Sequence, residues 1–169
     1  MTESVAFEFG GRGVITYNFA EDRRPDSKSD ILSFGFITLQ EDALLIRVTS
    51  ASSKDYLELK VVDGNLFASY NLGAEDLSLG ELAVKVSDGE HHVVRFTRSG
   101  ANATLQVDDF NVQTKNPVGR QRYIFNSQSQ IIVGGKRSDD EVRWLYGNCP
   151  ISMYSTWRFI SVTTFLKTI

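Results

Sequence analysis

The stretch YLELKVVDGNLFASYNL (residues 56–72) alternates apolar and polar side chains on either side of an Asp-Gly pair, a pattern that restricts the chain to antiparallel β-structure. Leu57, Leu59 and Val61 fall on one face and Tyr56, Glu58 and Lys60 on the other, because successive strand side chains point to opposite sides. Asp63-Gly64 tolerates the positive φ of a tight hairpin, so LFASYNL is expected to return beside its predecessor. The same grammar recurs at a spacing of roughly ten residues, as in sandwiches and barrels. In ALLIRVTS (43–50), Leu44, Ile46 and Val48 are expected on one face and Leu45, Arg47 and Thr49 on the other. HHVVRFTRSG leads into ATLQVDDF with Ser99-Gly100 near the turn and Leu105 and Val107 facing inward. SQIIVGGK (129–136) stops at Gly134-Gly135, and GVITYNF and ILSFGFITLQ add earlier strands. The candidates suffice for two facing sheets, while helical periodicity is weak throughout.

A chain of 169 residues, 41% hydrophobic, can build one domain with a sizeable core. The net charge of -3 lacks the basic excess that a broad nucleic-acid surface needs to release phosphate counterions, so no nucleic-acid partner is expected. Cys149 is the lone cysteine and has no internal disulfide partner. The chain has no run of 18 apolar residues, and MTESVAFEFGG has neither a basic n-region nor an apolar h-region, so neither a membrane span nor a signal peptide is read here.

Catalytic signatures are missing from the sequence: no G-x-S-x-G elbow, H-E-x-x-H, phosphate loop or dinucleotide fingerprint is present. His91 and His92 are adjacent, so on a strand they face opposite ways and do not share a site. The expectation is a binding module rather than an enzyme. Asn102-Ala103-Thr104 is an N-glycosylation triplet just after a predicted hairpin turn, which makes Asn102 a candidate glycan acceptor.

Three segments, DYLELKVVDGNLFASYNLG, SDGEHHVVRFTRSGANATLQVD and GRQRYIFNSQSQIIVGGK, together resemble the laminin-G-like (LNS) domains of neurexins. The likeness is greatest to the membrane-proximal, sixth such domain, which the β-forms also carry. It covers roughly residues 5 to 136. The resemblance implies an all-β, laminin-G-like or jelly-roll sandwich of two antiparallel sheets over residues 1–138. Residues 139–169 form a divergent C-terminal segment, whose β-favouring WRFISVTTF is a candidate to complete the sandwich.

The resemblance also implies a calcium ion on the rim, held by the carboxylate of Asp55, the side-chain oxygen of Asn126 and the backbone carbonyls of Leu72 and Ile124. Four protein oxygens with one formal charge leave room for water or a partner, and predict a weak affinity of order 10⁻⁴ to 10⁻³ M. In the family this rim docks neuroligin-like postsynaptic adhesion proteins, and a spliced insert enters just before the position of Arg120; here Gly119 runs directly into Arg120. Arg120 is expected to meet an acidic partner. Asp26 stands where relatives have a small hydroxyl residue, and Arg122-Tyr123 replaces a less bulky pair, so Asp26, Arg122 and Tyr123 complete the expected partner surface. The implied location is extracellular, at the synaptic cell surface. The alternative is a module for glycans or heparan sulfate using Arg95, Arg98, Lys115, Arg120 and Arg122, against which the net negative charge argues.

Overall fold

A computed structural model describes residues 6–10, 14–119, 122–137, 144–145 and 156–162. In chain order the strands are β1 (Ala6–Gly10), β2 (Ile15–Asn18), β3 (Ser29–Ile37), β4 (Ala43–Ser50), β5 (Tyr56–Val62), β6 (Asn65–Asn71) and β7 (Leu77–Glu81). They continue with β8 (His91–Ser99), β9 (Asn102–Val107), β10 (Gln113–Lys115), β11 (Gln128–Val133), β12 (Lys136–Arg137), β13 (Trp144–Leu145) and β14 (Thr156–Val162). One six-stranded sheet has the order β1-β14-β3-β8-β9-β10, the other β2-β11-β4-β5-β6-β7, and β12 and β13 form a separate pair. The pairings within both large sheets are antiparallel. Among the described residues the helical content is one 3-10 turn, Glu21–Arg23.

The hairpin turns fall where the turn residues lie. Val62 pairs with Asn65 across Asp63 (φ 48°) and Gly64 (φ 75°), the two successive positive values of a type I′ turn whose twist matches that of the strands it joins. Ser99 pairs with Asn102 across Gly100 and Ala101, and β11 ends before Gly134 and Gly135.

The core lies between the two large sheets. In β8 the buried positions are His92, Val94, Phe96 and Arg98, alternating with exposed or half-buried neighbours. In register they oppose Phe36, Phe34, Leu32 and Asp30 of β3. This inner face therefore has an apolar middle and a polar group at each end. From the second sheet, Leu57, Leu59, Val61, Leu66, Ala68 and Tyr70 fill the facing layer. Each fully buried Leu or Phe contributes roughly 1.5–3 kcal/mol of transfer free energy. Tyr70 joins the layers: its ring meets that of Phe96 edge-on at 6.3 Å, and its hydroxyl donates to the carbonyl of Ala101 at 2.5 Å.

Strict alternation fails in β4. The register shifts between Leu44 and Ile46, so Leu45 and Ile46 both enter the core cluster with Ala43 and Val48. Leu44 is buried elsewhere, with its amide bonded to the carbonyl of Gly135 and its side chain 3.7 Å from the position a Cβ would take on that glycine. The expected grouping of Leu44 with Ile46 and Val48 is thus corrected. A β-bulge adds one residue to one strand and reverses the facing of what lies beyond it.

The C-terminal segment supplies β14, which lies between β1 and β3 with Phe159 paired to Phe36 on one side and to Phe7 on the other. Its backbone satisfies the β3 edge that would otherwise stand open.

Candidate cation and partner-binding rim

At one end of the second sheet three chain segments converge. The first is the entry to β5, where the Asp55 carbonyl accepts from Ser50 N–H at 3.1 Å. The second is the exit of β6, where Asn71 pairs with Tyr56 and Leu72 is buried. The third runs from Arg122 to Ser127 and is pinned by reciprocal bonds between the backbones of Ser27 and Phe125 (3.0 and 2.9 Å) and by Ala51 N–H donating to the Ser127 carbonyl.

Asp55 is only 2% exposed, yet its Oδ1 has no hydrogen-bond partner. Its Oδ2 accepts two long bonds, 3.4 Å each, from the backbone N–H and side-chain Nδ2 of Asn126. The structure therefore brings together Asp55 and Asn126, 71 residues apart in the chain, and leaves one carboxylate oxygen free in a buried place. A buried unpaired carboxylate oxygen is costly, and a cation or ordered water satisfies it.

Leu72 and Ile124 sit beside this pair through their chain neighbours. Gly73 (φ 87°), next to Leu72, is so close that a Cβ there would lie 3.2 Å from Asp55 Oδ1. Its loop is braced by Asn71, whose Oδ1 accepts from Gly73 N–H at 2.6 Å and whose Nδ2 donates to Asp76, which also takes the Tyr56 hydroxyl at 3.0 Å. That Asp76 contact, after burial, helps raise the Tyr56 pKa. Ile124, about one-third exposed, precedes the pinned Phe125. Among the described residues no three His, Cys, Asp or Glu side chains converge on a common point. The free carboxylate oxygen of Asp55 beside the Asn126 amide is the kind of oxygen donor that a hard cation such as calcium would use.

Asp26 has a structural task at the rim. Its Oδ1 accepts from Ser127 N–H at 2.6 Å, holding Ser127 in the left-handed conformation (φ 46°) directly after Asn126. Tyr123 is 63% exposed and lies against Gly100, where a Cβ would meet its Cδ1 at 3.1 Å. Arg122 is exposed and reaches back to Gly73, its Nη1 3.0 Å from the same Cβ position. Arg120 lies outside the described residues, as does Cys149.

Two contributors escaped the reading of the sequence. Gly73 carries no signal of its own in the sequence, and its closeness to Asp55 emerges only when β5 and β6 pair. Arg98 was assigned to a basic glycan surface but is 2% exposed. Its guanidinium bonds Asp30 Oδ2, the Ser27 carbonyl and hydroxyl, and the Gly100 carbonyl, bracing the segment beneath the rim. Its position on the inner face of β8, directly opposite an acid, overturns the surface assignment. Arg95 remains exposed on the other face.

The sandwich is that of a laminin G domain. The LG1-3 region of the laminin alpha2 chain superposes with a TM-score of 0.68 at 18% identity, covering 97% of this chain and 33% of that one. The family model for the laminin G domain matches residues 36–146, and the chain belongs to that family. Within it, the domain is of the neurexin type. It is 50% identical to Neurexin 1 of Drosophila melanogaster over 137 residues, 80% of this chain and 7% of that protein. It is 46% identical to human Neurexin-3-beta over 125 residues, 73% of this chain and 20% of that protein. The chain spans well under two thirds of the length of these curated relatives. No helix among the described residues is long and apolar enough to cross a membrane, which says nothing of a β-barrel.

Proposed function

We propose that the chain is an extracellular adhesion module that binds a protein partner, of neuroligin-like type, through a calcium-assisted rim. The observation that carries the reading is the free, buried Oδ1 of Asp55 beside Asn126 and Gly73. A divalent cation offsets the desolvation of that carboxylate, and the carbonyls of Leu72 and Ile124 are the remaining protein donors. The Asn126 amide turns its nitrogen to Asp55, so ligation requires a half-turn that presents Oδ1 instead. Calcium in such an open shell offers its remaining positions to water or to a partner's oxygen.

Around the ion the rim has the composition of a docking surface. Tyr123 presents an exposed aromatic face on a rigid support, the kind of side chain that anchors interfaces. Arg122, and Arg120 by its place in the sequence, supply guanidinium groups suited to acidic residues on the partner. The burial of Arg98 removes one cation from the alternative surface for heparan sulfate.

Calcium binding to the folded protein alone must raise its melting temperature, by about 2.7 kcal/mol of added stability at a concentration 100 times Kd. Asp55→Ala and Asn126→Ala are expected to abolish the calcium-dependent rise and to weaken capture of a neuroligin-like ectodomain. An unchanged calcium response in both variants defeats the assignment of the site.

A further inference from the structure

The same rim contains a cation of its own. Arg122 Nη1 and Asp55 Oδ1 flank the Gly73 Cα, at 3.0 and 3.2 Å from the Cβ position that glycine leaves empty. They therefore lie within about 6 Å of each other, a separation at which unit charges still interact appreciably near a protein surface. The Asp55 carboxylate oxygen has no hydrogen-bond partner, so the guanidinium stands near it without bonding it.

We infer that Arg122 is a built-in competitor of calcium: its guanidinium overhangs the free oxygen of Asp55, lowers the affinity of the site for a divalent ion, and is displaced towards the partner surface when the ion binds. The inference rests on the calcium reading of the rim. Its physical basis is that the side chain is exposed and long, so it reaches the carboxylate or swings into solvent at little cost, whereas Asp55 is buried and fixed. Gly73 is what permits the approach. Any side chain there would have to crowd either the guanidinium or the carboxylate, and its positive φ disfavours one as well. Calcium and partner binding are then linked through one residue, because the ion that takes Asp55 also releases a cation for an acidic partner.

The magnitude follows from charge alone. Giving up a unit-charge attraction across about 6 Å, at an effective dielectric of about 40, between those of bulk water and a protein surface, weakens calcium binding by about tenfold in Kd. The experiment is a calorimetric calcium titration of the wild-type chain, Arg122→Gln and Arg122→Lys, at low and at high ionic strength, with the calcium-dependent shift in Tm measured alongside. Arg122→Gln is expected to bind calcium about tenfold more tightly at low salt, Arg122→Lys to stay near wild type, and the difference to shrink in about 1 M salt, where charges are screened within about 3 Å. Equal or weaker affinity in Arg122→Gln overturns the competitor role and leaves the calcium site standing. Tightening by Lys as much as by Gln overturns it too, since the effect then belongs to shape rather than charge. No calcium binding by any of the three chains overturns the calcium reading itself, and the competitor with it.

Discussion

Asp30 and Arg98 stand directly opposite each other on β3 and β8, both buried, with Arg98 Nε 2.7 Å from Asp30 Oδ2. The guanidinium also reaches the carbonyls of Ser27 and Gly100, so one side chain ties two strands, a hairpin turn and the segment leading to the rim. Removing one partner leaves the other buried and uncompensated. Asp30→Ala is expected to cost about 3–5 kcal/mol. Replacing both by apolar residues, Asp30→Leu with Arg98→Met, is expected to cost much less than either single change. Urea unfolding of Asp30→Ala, Asp30→Leu, Arg98→Met and the double variant checks this, and a double variant as unstable as the single ones counts against the ion pair as the cause.

The opposite end of the same strand carries a pH-dependent contact. His92 Nδ1 lies 2.8 Å from Asp108 Oδ2 and its Nε2 lies 3.1 Å from Asp88 Oδ1. Burial disfavours the charged imidazole, but the two carboxylates outweigh it and hold the pKa above its ordinary 6.5. Asp88 is held low, first by the Glu90 N–H and then by His92. Because the folded His92 pKa is the higher, its contribution is fully present below about pH 6.5 and is lost as pH rises through the folded value. Asp88 contributes above its ordinary 3.8, and that part is lost only as pH falls through its depressed value. Unfolding free energies of wild type and His92→Gln should converge as pH rises above neutrality, and a gap that stays constant from pH 5.5 to 9 contradicts the linkage.

The position of β14 makes the C-terminal segment part of the first sheet. Truncation after residue 138 removes the strand between β1 and β3 and opens the edge of β3, where Phe36 and Gly35 pair with it. The truncated chain is expected to lose cooperative thermal unfolding and to aggregate at concentrations where the full chain remains monodisperse. Light scattering and calorimetry on the two chains make the comparison, and a cooperative, soluble truncation product contradicts it.

Asn102 opens β9 and is exposed, next to the Gly100-Ala101 turn. Its side chain points to solvent, so a glycan there displaces nothing in the core. Expressed through a secretory pathway, the chain should gain glycan mass that Asn102→Gln abolishes, with stability changed by less than about 0.5 kcal/mol as for an ordinary surface substitution. Intact mass and thermal unfolding of the two proteins are the measurements, and an unmodified wild-type chain rules out the acceptor role.

Much of this was legible in the sequence because it is local. Period-two alternation is written residue by residue, so β5 and β9 with their inward faces follow from YLELKVV and ATLQVD, and β8 follows as a strand from HHVVRFTR. The turns follow equally, since Asp63-Gly64 and Gly100 tolerate backbone angles that other residues resist. Asp55 and Asn126 were named from resemblance, and the fold brings their side chains within 3.4 Å of each other.

What only the tertiary structure decided depends on residues far apart in the chain. A bulge moved Leu45 into the core because the register of β4 against β5 is set by pairing, not by the β4 sequence alone. An arginine that reads as surface charge became a buried brace because Asp30 lies opposite it, and a strand's sequence does not say which residues its neighbour will present. Arg122 came to rest by Asp55 because a glycine 49 positions earlier left the space between them. Local propensity determined the strands and turns; long-range register determined which charges are buried and which one comes to rest at the rim.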